Sequence, residues 1–242
     1  MVATFALLSL AACRSTGVPV PTTQSPDAEA AHDEDAGAVA APSSPPDAAP
    51  QRSFPLPVSG NYGAAEVVVG AGRLLTVDYR NARGEPDPRT KVPPFTCEFM
   101  LAARLKGDGP TYSGVAVFDG KSHRATVTVE AMAVLRIRYE GEPGGCVSTA
   151  GPELGGGLDA AGLPLARAGD GRNDTLGFRA IAAPRAFFHA RTDAPATTTY
   201  VLKGDVVRVK AESPGWVQVS YERWSGKEST GWLRTDDLFP LP

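Results

Sequence analysis

The sequence predicts an all-β protein: an N-terminal small antiparallel β-barrel or sandwich and a second, C-terminal barrel, both after a disordered linker. Three observations carry this expectation. Short runs rich in β-branched residues recur along the chain, and several alternate apolar and polar positions with period two. The segments between them carry Gly, Pro and Asp turn chemistry. The composition also changes abruptly, once after Cys13 and again across Gly151 to Gly177, which divides the chain into leader, linker, domain, connector and domain.

The leader comes first. Val2 to Ala12 is an unbroken run of apolar and small residues that ends in Leu10-Ala11-Ala12-Cys13. Such a run is the hydrophobic core of a signal peptide and is too short to span a bilayer. The closing tetrapeptide resembles the bacterial lipobox. That resemblance implies that residues 1–12 are a lipoprotein signal peptide, removed in the mature protein, and that the Cys13 thiol is diacylated. Two or three acyl chains anchor stably, because each buried CH₂ contributes about 0.8 kcal/mol and one chain alone is marginal. The expected location is therefore outside the cytoplasm, tethered to a membrane and facing the periplasm or the cell surface. No Lys or Arg precedes the apolar run, a departure from the usual positive leader, which a start codon set too far downstream would explain.

From Cys13 to residue 55 the chain is Pro, Ala, Ser, Thr and acid, with almost no aromatic or large aliphatic content. A segment of this kind cannot bury enough apolar surface to offset its ordering entropy. Asp27, Glu29, Asp33, Glu34, Asp35 and Asp47 outnumber Arg14 and Arg52, so the stretch is self-repelling and partly stiffened by proline, as a spacer would be. His32 with Asp33, Glu34 and Asp35 lacks the fixed cage a metal needs. No metal and no cofactor is expected.

Residues 56–150 form the first β domain. Glu66 to Val69, Arg73 to Tyr79, Cys97 to Ala102, Gly114 to Phe118, Ala125 to Val129 and Val134 to Tyr139 are each short and strand-like, and Leu135, Ile137 and Tyr139 alternate with Arg136 and Arg138. Turn sequences such as Gly84-Glu85-Pro86-Asp87-Pro88 and Asp119-Gly120-Lys121 separate them. With Cys13 assigned to lipid, Cys97 and Cys146 remain as an even pair in an exported protein. A disulfide is the expected state, and two separate buried thiols are the alternative. The order Gly60-Asn61-Tyr62, Cys97 at a strand start and Cys146 in a Gly-rich end resembles small β-barrel domains of periplasmic lipoproteins, including lysozyme-inhibitor-like ones.

Residues 151–177 turn Gly, Ala and Asp rich and read as a connector. Residues 178–242 then run through Arg185 to Ala190, Tyr200-Val201-Leu202-Lys203-Gly204-Asp205-Val206-Val207-Arg208-Val209, Gly215-Trp216-Val217-Gln218-Val219 and Gly231-Trp232-Leu233-Arg234-Thr235-Asp236-Asp237-Leu238. A Lys-Gly-Asp turn feeding an alternating strand, a Gly-Trp-Val-x-Val strand and a closing Gly-Trp-Leu-x-x-x-Asp-Leu resemble the bacterial SH3 (SH3b) family over the whole segment. The resemblance implies a small SH3-like barrel that binds and does not catalyse, with peptidoglycan peptides or neighbouring envelope proteins as ligands. It also implies structural roles for Trp216 and Trp232, and Trp232 is expected as the plug of the barrel. Phe188, Tyr200, Tyr221 and Trp224 are the expected ligand-binding surface, because aromatic rings with a polar handle suit grooves.

The balance of 24 basic against 27 acidic residues, without a basic stripe, argues against nucleic acid as a partner. Only His32, His123 and His189 exist, and none adjoins a nucleophile in a recognisable setting. Asp119-Gly120-Lys121-Ser122 has the ending of a phosphate loop without its upstream glycine and reads as a hairpin turn. The expectation is a non-catalytic, membrane-anchored envelope lipoprotein. The alternative is an inhibitor or protective factor against a wall hydrolase such as lysozyme, acting through residues 56–150.

Overall fold

The computed structural model describes residues 55–107, 109–131, 133–141, 146, 161–172 and 174–242. The expected signal peptide, Cys13 and the expected linker up to residue 54 lie outside these residues, as does much of the expected connector.

The first sheet holds eight strands in sequence order: β1 (Gly60–Tyr62), β2 (Ala65–Val69), β3 (Leu74–Arg83), β4 (Phe95–Leu105), β5 (Thr111–Phe118), β6 (Lys121–Ala131), β7 (Val134–Tyr139) and β8 (Leu163–Ala166). Every pairing is antiparallel and joins chain neighbours, as in β3 and β4 from Leu74 opposite Arg104 to Arg83 opposite Phe95. The ring is nearly closed by the chain just after β8. Asn61 donates to Gly169 O at 2.9 Å, and Ala168 donates back to Asn61 O at 2.7 Å. This approach requires a bare backbone, since a Cβ on Gly60 would stand 2.5 Å from the Gly169 carbonyl oxygen. Alternation then aims one set of side chains inward. Leu75, Val77, Tyr79, Cys97, Phe99, Leu101, Tyr112, Val127, Leu135 and Ile137 are all buried in one core. Cys97 and Cys146 form a disulfide within that core, with Cα atoms 4.6 Å apart.

β8 corrects the expected boundaries. Leu163 and Leu165 pack in the first core and pair with Ile137 and Leu135, so the first domain does not end at residue 150, and part of the stretch read as connector is strand. Its Gly, Ala and Asp content hid a four-residue strand that alternates buried Leu with exposed Pro and Ala.

The second sheet has six strands in the order β11-β10-β14-β13-β12-β9: β9 (Gly177–Ala180), β10 (Arg185–His189), β11 (Ala196–Leu202), β12 (Val206–Ser213), β13 (Trp216–Glu222) and β14 (Glu228–Arg234). It wraps Ile181, Ala186, Phe188, Val201, Val207, Val209, Val217, Val219, Leu233 and Leu238. Gly204, at φ 92°, supplies the left-handed residue that the Lys-Gly-Asp turn needs between β11 and β12.

The expected placement of Trp232 is overturned. Leu233, not Trp232, fills the interior, because Gly231 and Leu233 are the inward positions of β14 while Trp232 points outward and is half-buried. Leu233→Ala in the full chain should therefore cost about 2 to 5 kcal/mol, whereas Trp232→Ala should cost about 1 kcal/mol. Urea unfolding of the two variants, compared with the unsubstituted chain, checks the order.

The second domain also does not stand apart from the first. Val68, Met100, Ala102 and Val117 on the outer face of the first sheet share a buried cluster with Phe178, Ala180 and Val206, flanked by Phe239 and Leu241. β4 is thus covered on both faces, which explains the continuous apolar run from Phe99 to Ala103. Val206 and Arg208, the positions of β12 that turn away from its own core, face this seam. Phe178 N–H donates to Thr76 Oγ1 at 3.2 Å, and Arg104 Nε donates to Pro242 O at 2.6 Å. Arg208 pairs with Glu66 at 3.0 Å, with both side chains largely buried.

Candidate functional site

Of the four aromatics expected on the ligand surface, the structure brings two together. Tyr200 on β11 and Tyr221 on β13 line a groove of about 360 Å³ with Thr198, Thr199, Leu202, Asp205 and Arg223. Tyr200 is 37% exposed and Leu202 49%. Phe188 is 3% exposed and belongs to the core, because Ala186 and Phe188 are the inward positions of β10. Its neighbour Phe187 is the exposed ring, set 5.6 Å from Tyr200 across the β10–β11 ladder. The adjacent pair Phe187-Phe188 offered no local signal as to which ring faces in, and the register of β10 decides it. Trp224 lies at the seam, where the Arg80 guanidinium sits 4.6 Å over its ring and its indole N–H donates to Glu98. That contact removes it from the groove.

The groove is built on the turn between β11 and β12. The Asp205 carboxylate accepts the Leu202 N–H at 2.7 Å and the Tyr221 hydroxyl, and so ties β13 to that turn. Burial pushes the Asp205 carboxyl above its usual range against the pull of these hydrogen bonds. The Tyr221 hydroxyl is likewise pushed up, first by burial and then by the negative charges of Asp205 and Glu98. Tyr221 is therefore a fixed donor and the floor of the groove, while Tyr200, Leu202 and Arg223 are its accessible parts. Arg185 stacks on Tyr200 from outside, 5.0 Å from the ring.

Sequence reading missed a second feature. Phe187 and His189 on β10, Trp232 on β14 and Trp216 on β13 all occupy outward positions, with His189 opposite Trp232 and its ring 4.8 Å from Trp216. The spacing of Gly231-Trp232-Leu233 could have revealed this, since a small residue and a leucine flanking a tryptophan place the tryptophan on the other face.

The remaining histidines have structural settings. His123 stacks on Phe118 with centroids 3.9 Å apart, and His189 Nδ1 lies 2.8 Å from Ala194 O. Among the described residues, no cluster of His, Cys, Asp or Glu is set to hold a metal ion. A smaller hollow of about 260 Å³ is lined by Ser59, Glu66, Asp170 and Arg172, and its Glu66 carboxylate already accepts from both the Arg172 backbone and Arg208. No family model, curated protein or solved structure matches the chain.

Proposed function

We propose that the chain is a non-catalytic envelope lipoprotein, anchored through acylated Cys13, whose SH3b-like second domain binds cell-wall peptides or a partner protein. The observation that carries this reading is the groove of Tyr200, Leu202, Tyr221 and Arg223 at the open side of the second sheet. It offers an exposed tyrosine ring and an exposed leucine beside a fixed hydroxyl and a cation, the composition of a recognition surface. The lipobox at Leu10 to Cys13 and the acidic segment after it support an exported, tethered display.

Two measurements test the proposal. The Cys13→Ser chain should lose acyl labelling and leave the membrane fraction; unchanged fractionation would rule out the anchor. In a pull-down on purified sacculi, Tyr200→Ala should weaken binding by about 2 kcal/mol, as expected for a tyrosine anchor. Equal retention of variant and unsubstituted chains would remove the groove from the function.

The second reading is a protective factor or inhibitor of a wall hydrolase such as lysozyme, acting through the first sheet. It is favoured by a nearly closed eight-stranded sheet with a disulfide between Cys97 and Cys146. Inhibition of sacculus lysis that survives Tyr200→Ala would support it. Both assays need the full chain, since fragments cut at residues 150 and 178 would lose β8 and expose the shared cluster around Phe178.

A further inference from the structure

β11 is an edge strand. Among the described residues it pairs with β10 alone, so one side of its backbone meets no neighbouring strand. Leu202, opposite Arg185, turns its N–H out of the ladder to Asp205. In an antiparallel pair the outward and inward backbone groups alternate. Tyr200, two residues earlier and opposite Phe187, therefore also turns its N–H and C=O to the open side. An edge of this kind is a template for another strand, and proteins commonly blunt it with lysine, proline or a cover. β11 (Ala-Thr-Thr-Thr-Tyr-Val-Leu) carries none of these residues and is mostly exposed.

The side chains around the edge specify what could pair there. Arg185 and Arg223 flank it, and neither lies within ion-pair distance of a carboxylate among the described residues. The acid closest to the groove, Asp205, is already engaged by Leu202 N–H and Tyr221. The edge thus combines open main-chain groups, an apolar surface of Phe187, Tyr200 and Leu202, and two cations held in no close ion pair, of which Arg223 also acts on the Asp205 carboxylate at longer range. A second copy of the chain pairing here would bring the same cations together. A nucleic acid would need a longer basic track than two arginines provide.

We infer that the β11 edge takes an extended peptide bearing carboxylates, which adds to the second sheet as a further strand. Its main chain pairs with Tyr200 and its neighbours. Alternate side chains lie on Tyr200 and Leu202, and its carboxylates meet Arg185 and Arg223. The inference rests on the proposed groove and adds to it the binding mode and the charge of the ligand.

Fluorescence anisotropy on the full chain in detergent tests it with three labelled octapeptides: alternating valine and glutamate, alternating valine and lysine, and the first with every second backbone nitrogen methylated. The glutamate probe should bind. The lysine probe and the methylated probe should each bind at least about tenfold more weakly, a loss of one charge contact or one ladder bond. An Arg185→Glu, Arg223→Glu chain that keeps the melting temperature of the unsubstituted chain should reverse the preference toward the lysine probe. Equal binding of the methylated probe would overturn strand addition, and equal or tighter binding of the lysine probe would overturn the charge assignment. Absence of binding by every probe overturns the inference as well. Sacculus binding is measured beside it. If sacculi are retained while all probes fail, the edge mode alone falls; if both fail, the envelope reading falls with it.

Discussion

Replacing Cys97 and Cys146 together by alanine is expected to destabilise the chain by about 4 kcal/mol, the chain-entropy value for a cross-link of this span. The two cysteines are 49 residues apart in sequence and both are fully buried in the first core. The covalent link therefore restricts a long loop in the unfolded chain while occupying space that apolar side chains surround. Urea unfolding of oxidised, reduced and doubly substituted protein provides the measurement. The oxidised form should have the highest midpoint, and the other two should fall together. Identical midpoints for oxidised and reduced chains would show that the bond contributes nothing.

The second large effect is expected at the seam. Arg208→Ala removes the partner of a buried Glu66 carboxylate, and breaking one side of a buried pair typically costs about 3 to 5 kcal/mol. Close by, Asp78 is buried, and its carboxyl is pushed up to about 7. Burial is the main cause. Glu98 and Glu66 add to it, while Arg80 and Arg208 act against it.

The direction of the resulting pH dependence follows from proton binding. Between the unfolded carboxylate value, about 4, and the folded value near 7, the native chain holds a proton that the unfolded chain has released. The contribution of Asp78 to stability is full below the lower value. It is lost as pH rises toward 7 and changes little above that. Glu98 and Asp205, also raised by burial, act in the same sense, while exposed Glu130 and Asp174, lowered by Arg136 and Lys210, act in the opposite one. Asp78→Asn isolates the group, because an amide stands in for the protonated acid. Relative to it, the unsubstituted chain should lose stability between pH 5 and 7, on the order of a kcal/mol or more. Parallel curves for the two proteins across that range would exclude the effect.

The two-sheet, all-β architecture was legible because alternation and turn chemistry are local signals. Leu135-Arg136-Ile137-Arg138-Tyr139 shows its buried face in the sequence, and Lys203-Gly204-Asp205 shows its turn. The disulfide was legible from the parity of the cysteines. What failed depended on distant partners. β8 is short and set among Gly and Ala, so only its ladder with β7 identifies it. Trp232 looked like a core residue because tryptophan is large and apolar, yet inward direction along a strand is set by parity with Gly231 and Leu233. Phe188 was lost from the surface, and Phe187 gained, for the same reason. Trp224 looked like an exposed loop ring, but its cover, Arg80, lies far away in sequence on β3. The groove itself was half legible. Tyr200 and Tyr221 stood out as aromatics, but their meeting depends on Asp205 joining β11, β12 and β13.

The order of the first sheet also bears on how the molecule assembles. Each of its strands pairs with its neighbour in the chain, so the sheet can grow one hairpin at a time, with the longest loop to close lying between Tyr139 of β7 and Leu163 of β8. The exception is the step that joins Asn61 to Gly169, which brings together opposite ends of the domain. Contacts of large sequence separation slow folding because loop entropy is lost before the contact is gained. Closure of the ring and docking of β9 onto the outside of β2 to β4 both require most of the chain to be present. During synthesis, the eight-stranded sheet therefore stays open at one edge until Gly169 has emerged, and Met100 and Ala102 stay uncovered until β9 and β12 follow. That interval is when the chain is most exposed to misassociation.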